Sequence, residues 1–223
     1  MSVPRILGLL SLSACSATLL AQSEPGFEGH PYALKGSHGI DVQAGLLAST
    51  NASTTTSVGG VTTSSTSSGF LGGLAYSYWV ENTVAVTVSA GVADASAETS
   101  TGTGGTSVET GTIVPLLFGV KYQPFRLTSD DVLRPYGLVA VGPFLGFASN
   151  VYAGPTTTTQ TVSETALGSR LGVGLDLSLS RSLILGVGVG YRFVADFKNR
   201  IGAEKNYSGP DFLLSFGVVF GGG

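Results

Sequence analysis

The chain is expected to fold as an all-β, eight-stranded antiparallel up-and-down transmembrane β-barrel. Three observations lead there: a period-two alternation of side chains over most of the length, connections that alternate between short and long, and strand charges that all share one face. The clearest stretch is residues 167–193. Leu167, Leu171, Val173, Leu175, Leu177 and Leu179 take odd positions, interrupted only by Ser169, while Gly168, Arg170, Gly172, Gly174, Asp176 and Ser178 take the even ones. After the polar residues 180–182, Leu183, Leu185, Val187, Val189, Tyr191 and Phe193 alternate with Ile184, Gly186, Gly188, Gly190 and Arg192. Successive side chains of a strand point to opposite faces, so this is an antiparallel hairpin with one apolar face and one of glycine, serine and charge.

Composition agrees with an unusual solvent. Only 11% of the 223 residues are charged, against about 25% in ordinary soluble domains. The 33 glycines are roughly twice the usual share. A net charge of −3 with no basic stripe excludes a nucleic-acid partner.

Taken in order, the first 21 residues read as a secretory signal peptide. Arg5 is the sole charge before Glu24, the apolar stretch 6–20 follows, and Ala21 is an acceptable small residue before cleavage. A competing reading is the lipobox-like Leu12-Ser13-Ala14-Cys15, which would end in a lipid-modified cysteine. Cys15 is the only cysteine, so the mature fold is expected to hold no disulfide. Residues 22–38 are polar and Pro/Gly-marked, an unpaired leader carrying both His30 and His38, and the barrel proper is assigned to 39–223.

The first barrel strand is residues 39–48, with Ile40, Val42, Ala44 and Leu46 against Asp41, Gln43 and Gly45. Residues 49–68 are Ser/Thr-rich without apolar periodicity and are read as a loop. Strands two and three, 69–80 and 84–93, flank a short turn at 81–83, and a Gly/Ser/Thr loop is expected at 94–109. Strand four, 112–123, contains Pro115, which calls for a strand end or an irregular ladder. Strand five, 136–147, is apolar on both parities. A membrane helix over the uncharged residues 135–163 is rejected because Gly137, Gly142, Pro143, Gly146, Gly154 and Pro155 interrupt it. A loop at 148–165 leads into the hairpin already described, which supplies strands six and seven. A charged loop at 195–209 precedes strand eight at 211–220. An even strand number, tight turns at one end and long loops at the other describe a membrane barrel.

The faces follow from charge. Asp41, Lys121, Arg170, Asp176, Arg192 and Asp211 all lie on the less apolar parity. An Arg or Lys facing lipid at mid-bilayer costs roughly 2–4 kcal/mol, so the apolar face is expected to meet lipid and the charges to form a lumen network. A soluble ligand-binding barrel, free or lipid-anchored in the periplasm, is the alternative and would invert the two faces.

The signal sequence, the period-two pattern and the aromatic-rich last strand with Phe212, Phe216 and Phe220 resemble the eight-stranded outer-membrane β-barrel proteins of Gram-negative bacteria, the group of outer-membrane proteins A, X and W. The resemblance covers almost the whole mature chain and departs from it at the terminal Gly221-Gly222-Gly223. It implies an address in the bacterial outer membrane, outer-membrane lipid and lipopolysaccharide as surroundings, and recognition of the last strand by the barrel assembly machinery. A monomer is expected.

Catalysis has little support: no histidine follows His38, and no His/Cys/Asp cluster suggests a metal. No cofactor is expected. The run Gly186-Val187-Gly188-Val189-Gly190 is a lumen-facing glycine row rather than a nucleotide loop, since no helix follows it. Lys198, Arg200 and Lys205 cluster in the last long loop, where they could meet lipopolysaccharide phosphates. The expected role is a non-enzymatic structural or surface-interaction barrel. A narrow channel for small solutes is the second reading, with lumen glycines leaving space for it.

Overall fold

Period-two sequence becomes a closed sheet in the computed structural model, which describes residues 34–48, 55–58, 61–66, 68–102, 105–124, 132–153, 158–180, 182–202 and 204–221. These residues belong to one compact unit, Pro31–Gly223. The signal-peptide and lipobox readings, and the leader as far as residue 33, lie outside them.

Ten strands are described: β1 (His38–Ala48), β2 (Thr55–Val58), β3 (Val61–Thr66), β4 (Ser68–Glu81), β5 (Val84–Gly102), β6 (Gly105–Tyr122), β7 (Leu133–Ala153), β8 (Thr158–Ser178), β9 (Leu183–Val194) and β10 (Gly209–Phe220). Eight of them close the barrel. Their cyclic order is β1-β4-β5-β6-β7-β8-β9-β10, with every pair antiparallel and β10 returning to β1. Closure gives every barrel strand two hydrogen-bonded neighbours, which a membrane requires because it offers no water to an open edge.

The remaining pair, β2 and β3, corrects the reading of 49–68 as a loop. These strands form a hairpin that adds to the far end of β5, with Thr62 opposite Thr101 and Thr66 opposite Ala97. The expected loops at 94–109 and 148–165 are likewise mostly ladder. β5 pairs with β6 as far as Gly102 opposite Gly105, and β7 with β8 as far as Tyr152 opposite Thr158. Ser and Thr carry no strong apolar alternation, so periodicity could not find them, yet β-branched threonine is among the residues that favour strands. β5 to β8 are 19, 18, 21 and 21 residues long. A tilted crossing needs about 9–11; the surplus rises on the side of the long connections.

Pro115 sits in an irregular ladder. Pairing of β5 with β6 skips from Ala90–Leu116 to Ala93–Ile113, and that of β6 with β7 from Pro115–Phe144 to Phe118–Val141. Proline has no N–H to give such a ladder.

Side-chain direction follows the alternation. Val42, Leu46, Phe70, Leu74, Phe118, Val139, Val141, Leu167, Val173, Val189 and Phe216 are exposed on the outside. Asp176, Arg170, Arg192 and Asp211 are buried inside. A soluble barrel would have these faces reversed. His38 belongs to β1 rather than to an unpaired leader: its ring stacks on Phe220 at 5.7 Å and its Nδ1 lies 2.6 Å from Tyr76 Oη. With Tyr78 it forms an aromatic patch at the short-turn rim, where amphipathic rings suit a membrane interface.

Candidate functional site: the filled lumen

Three layers occupy the barrel interior. At the short-turn end, Leu34, Trp79, Ala85 and Val219 form a buried apolar cluster with Ile184 packed against it. Leu34 is held there because Ser37 N–H donates to Leu34 O, and Gly36 N–H donates to Trp79 O. Gly36 turns with φ 79°, a left-handed conformation that glycine adopts without a Cβ clash. The end of the expected leader therefore packs onto the barrel.

The middle layer is polar, and all six charged residues singled out in the strands face it. Lys121 Nζ pairs with Asp176 Oδ2 at 2.5 Å, and Gln123 Nε2 donates to the same oxygen at 2.7 Å. Arg170 and Arg192 are directly opposite each other on β8 and β9, a like-charge juxtaposition that is unfavourable by itself. Asp211 of β10 offsets it. Arg170 grips that carboxylate through Nε (3.0 Å to Oδ2) and Nη2 (2.6 Å to Oδ1), and Arg192 Nε stands 3.3 Å from Oδ2. Asp41 faces Gly217, where an added Cβ would strike its carboxylate.

The lumen glycines do not leave an open bore. Gly174 and Gly188 are cross-strand partners, and a Cβ on either would lie 2.5 Å from Tyr136 Oη. The phenol end of Tyr136 thus lies against a glycine floor, an arrangement in which an aromatic side chain covers the backbone that glycine exposes. Lys121 Nζ sits 4.2 Å above that ring's centroid, within cation–π range. Glycine, tyrosine, lysine and Asp176 make a continuous stack from wall to interior.

The third layer, at the long-loop end, is apolar: Ile113, Leu117, Ala140, Phe144, Ala148, Ala166 and Val194 from the wall, Phe197, Ile201 and Tyr207 from the connection between β9 and β10. That connection was expected to be simply a charged loop. Instead it folds back on itself, with Phe197 N–H donating to Lys205 O at 2.9 Å and Tyr207 Oη donating to Ile201 O. Glu164 of β8 accepts the Asn199 N–H at 2.9 Å. Ile201 is fully buried, and a Cβ on Gly146 would meet it at 2.8 Å. Lys198, Arg200 and Lys205 remain exposed on its outer side.

Sequence reasoning missed Arg134, Gln123 and Tyr136, all on inward positions. Extending the alternation of strand five two residues back would have reached Arg134. Phe197, Ile201 and Tyr207 gave no periodic signal; their spacing within a charged loop was the one available cue. Phe212, Phe216 and Phe220 all face outward from the closing strand β10.

Between the layers lies a cavity of about 80 Å³, with Lys121, Tyr136, Arg170 and Arg192 among its walls. Among the described residues no group of three His, Cys, Asp or Glu is placed to hold a metal ion.

Comparison with known proteins adds the lineage. The barrel of OprG from Pseudomonas aeruginosa is similar at 13% identity, over 84% of this chain and 97% of that one, with a TM-score of 0.49. The attachment invasion locus protein Ail of Yersinia pestis matches at 17% identity over 83% and 99%, with a TM-score of 0.45. Neisserial surface protein A matches at 12% over 83% and 96%, with a TM-score of 0.47. No curated protein matches the chain by sequence. The family described as outer membrane protein beta-barrel domain matches residues 7–220. The chain belongs to the outer membrane protein β-barrel family.

Proposed function

We propose that the chain serves as a non-enzymatic, non-conducting barrel in the outer membrane of a Gram-negative bacterium, with a structural or surface-interaction role. The observation that carries this reading is the filled lumen: an apolar layer at each end encloses an ion-paired layer. Eight strands enclose a space that side chains can fill, and these side chains do so. The surplus length of β5 to β8, joined by the β2–β3 hairpin, supplies a broad Ser/Thr-rich sheet outside the bilayer for contacts with other surfaces. Lys198, Arg200 and Lys205 stand on the same side, where lipopolysaccharide phosphates would be met.

The test is planar-bilayer recording on purified, refolded protein. The reading expects a quiet membrane. Reproducible unitary steps that change when Arg170 or Arg192 is neutralised would overturn it in favour of a channel.

A second reading, a narrow solute channel, draws on the polar cavity between the layers. It requires the connection between β9 and β10 to withdraw Phe197 and Ile201 from the barrel. Shortening that connection should then produce steps that the intact chain lacks.

A further inference from the structure

Gly137 lies in the outer wall. It shares the outward parity of Val139 and Val141 on β7, and its cross-strand partners are Tyr122 on β6 and Val173 on β8, all of them exposed. A glycine inside a strand weakens it, and marks a bulge, a sharp bend, or a place where another backbone or a ligand comes close. No bulge is present: β7 keeps unbroken register with β6 from Phe118–Val141 to Tyr122–Gly137, and with β8 on both sides of Gly137. Its φ is not left-handed. Nothing in the chain comes close either. Among the described residues, a Cβ at Gly137 would meet no atom within 4 Å beyond its own chain neighbours. Gly72, on the outward parity of β4, differs, because a Cβ there would lie 3.4 Å from the Phe70 ring and the chain fills that space itself. Of the uses of a strand glycine, only the approach of something outside the chain is left.

The missing side chain opens a furrow with Tyr122 and Val173 as its sides. It reaches Pro124 and Pro135 at the short-turn end and passes Val139 and Leu171 in the other direction. Residues 135–139 alone span roughly 13 Å at 3.3 Å per residue, so the space is long and narrow. No charged side chain lines it. An unbranched acyl chain has that shape and that chemistry. Within the hydrocarbon region escape from water gains nothing, so packing decides which lipid stays. A chain in the furrow touches protein on three sides, and one on the open wall touches it on one. A second barrel is the poorer occupant, since two convex walls meet along a line while a specific protein contact buries roughly 1,200–2,000 Å². Short turns of membrane barrels face the periplasm, and the furrow runs to that end.

We propose that the furrow at Gly137 is a binding site for one acyl chain of a phospholipid in the periplasmic leaflet. Gly137 supplies the room, and Tyr122 and Val173 hold the chain from either side. The site is separate from the filled lumen and does not depend on whether the barrel conducts.

The experiment uses the full barrel in bilayer nanodiscs of phosphatidylethanolamine and lipopolysaccharide, with the acyl chains of one lipid or the other isotope-labelled. Chain-to-methyl nuclear Overhauser effects are read at Val173 and Val189 in the furrow, and at Val42 and Val86 elsewhere on the exposed wall. With labelled phospholipid, the furrow methyls should give signals about threefold stronger than the open wall, in proportion to the sides touched. Gly137→Leu fills the furrow with one more apolar side chain. It should bring the furrow signals down to the open-wall level and leave those at Val42 and Val86 unchanged. Equal signals at both places in the wild type, a ratio that survives Gly137→Leu, or a stronger furrow signal from lipopolysaccharide chains would each overturn the proposal. Furrow contacts to the methyls of a differently labelled second copy would overturn it as well. If Gly137→Leu does not fold, the wild-type ratio and the comparison of the two labelled lipids decide alone.

Discussion

Asp211 is the residue whose loss should be felt most. It is buried, and it separates two guanidiniums on directly opposed positions of β8 and β9. Asp211→Asn keeps the size and removes the charge. Two like charges roughly 5 Å apart, the spacing of a cross-strand pair, repel by about 3 kcal/mol at an effective dielectric near 20. Breaking a buried ion pair on one side typically costs about 3–5 kcal/mol, so the two routes agree on about 3–5. The assay is urea unfolding of the refolded protein, followed by fluorescence of Trp79, the only tryptophan, which is buried at the short-turn end. Band shift of the folded form on unheated gels gives an independent readout. Adding Arg192→Gln to Asp211→Asn removes one of the two repelling charges and should restore a large part of the loss. Destabilisation below about 1 kcal/mol, or a double variant no more stable than Asp211→Asn, would refute the account of Asp211 as the shared counter-ion.

Three further outcomes are expected. Gly188→Ala places a methyl 2.5 Å from Tyr136 Oη and should lose about 1–3 kcal/mol as an overpacked core does; Tyr136→Ala in the same chain should relieve the added strain, checked by a double-mutant cycle in urea. Val173→Arg puts a charge on the outward face and should lose about 2–4 kcal/mol in bilayers near the midplane, measured as folded fraction in lipid vesicles; an unchanged fraction would place that face away from lipid. Ile201→Ala removes a fully buried side chain and should lose about 2–5 kcal/mol, with amide exchange rising in residues 195–208 before the barrel wall.

Legibility differed by the kind of signal. Leu171, Val173 and Leu175 against Gly172 and Gly174 declared both the strand and its two faces, because a lipid-facing wall needs unbroken alternation. The Ser/Thr stretches of β2, β3 and the upper parts of β5 to β8 declared nothing, because Ser and Thr supply no apolar alternation to read. Strand five was ambiguous for a different reason. Its inward Ala140 and Phe144 belong to an apolar layer inside the barrel, so apolar residues on both parities were the correct pattern. The six strand charges were legible as one inward set, since each occupies the less apolar parity. Their pairing was not, because Arg170 and Asp211 are 41 residues apart and meet only through register.

By itself, then, the sequence determined the solvent of each face and the up-and-down order of eight crossings. Alternation and charge are local properties, and lipid tolerates only one arrangement of them. Tertiary structure alone decided that the lumen is filled. Glycines that suggested space are the floor beneath Tyr136 and the room for Asp41, while a charged loop buries Phe197, Ile201 and Tyr207 in the barrel's end. Whether a small residue leaves a gap depends on what reaches it from another strand, and closure of the sheet sets that contact.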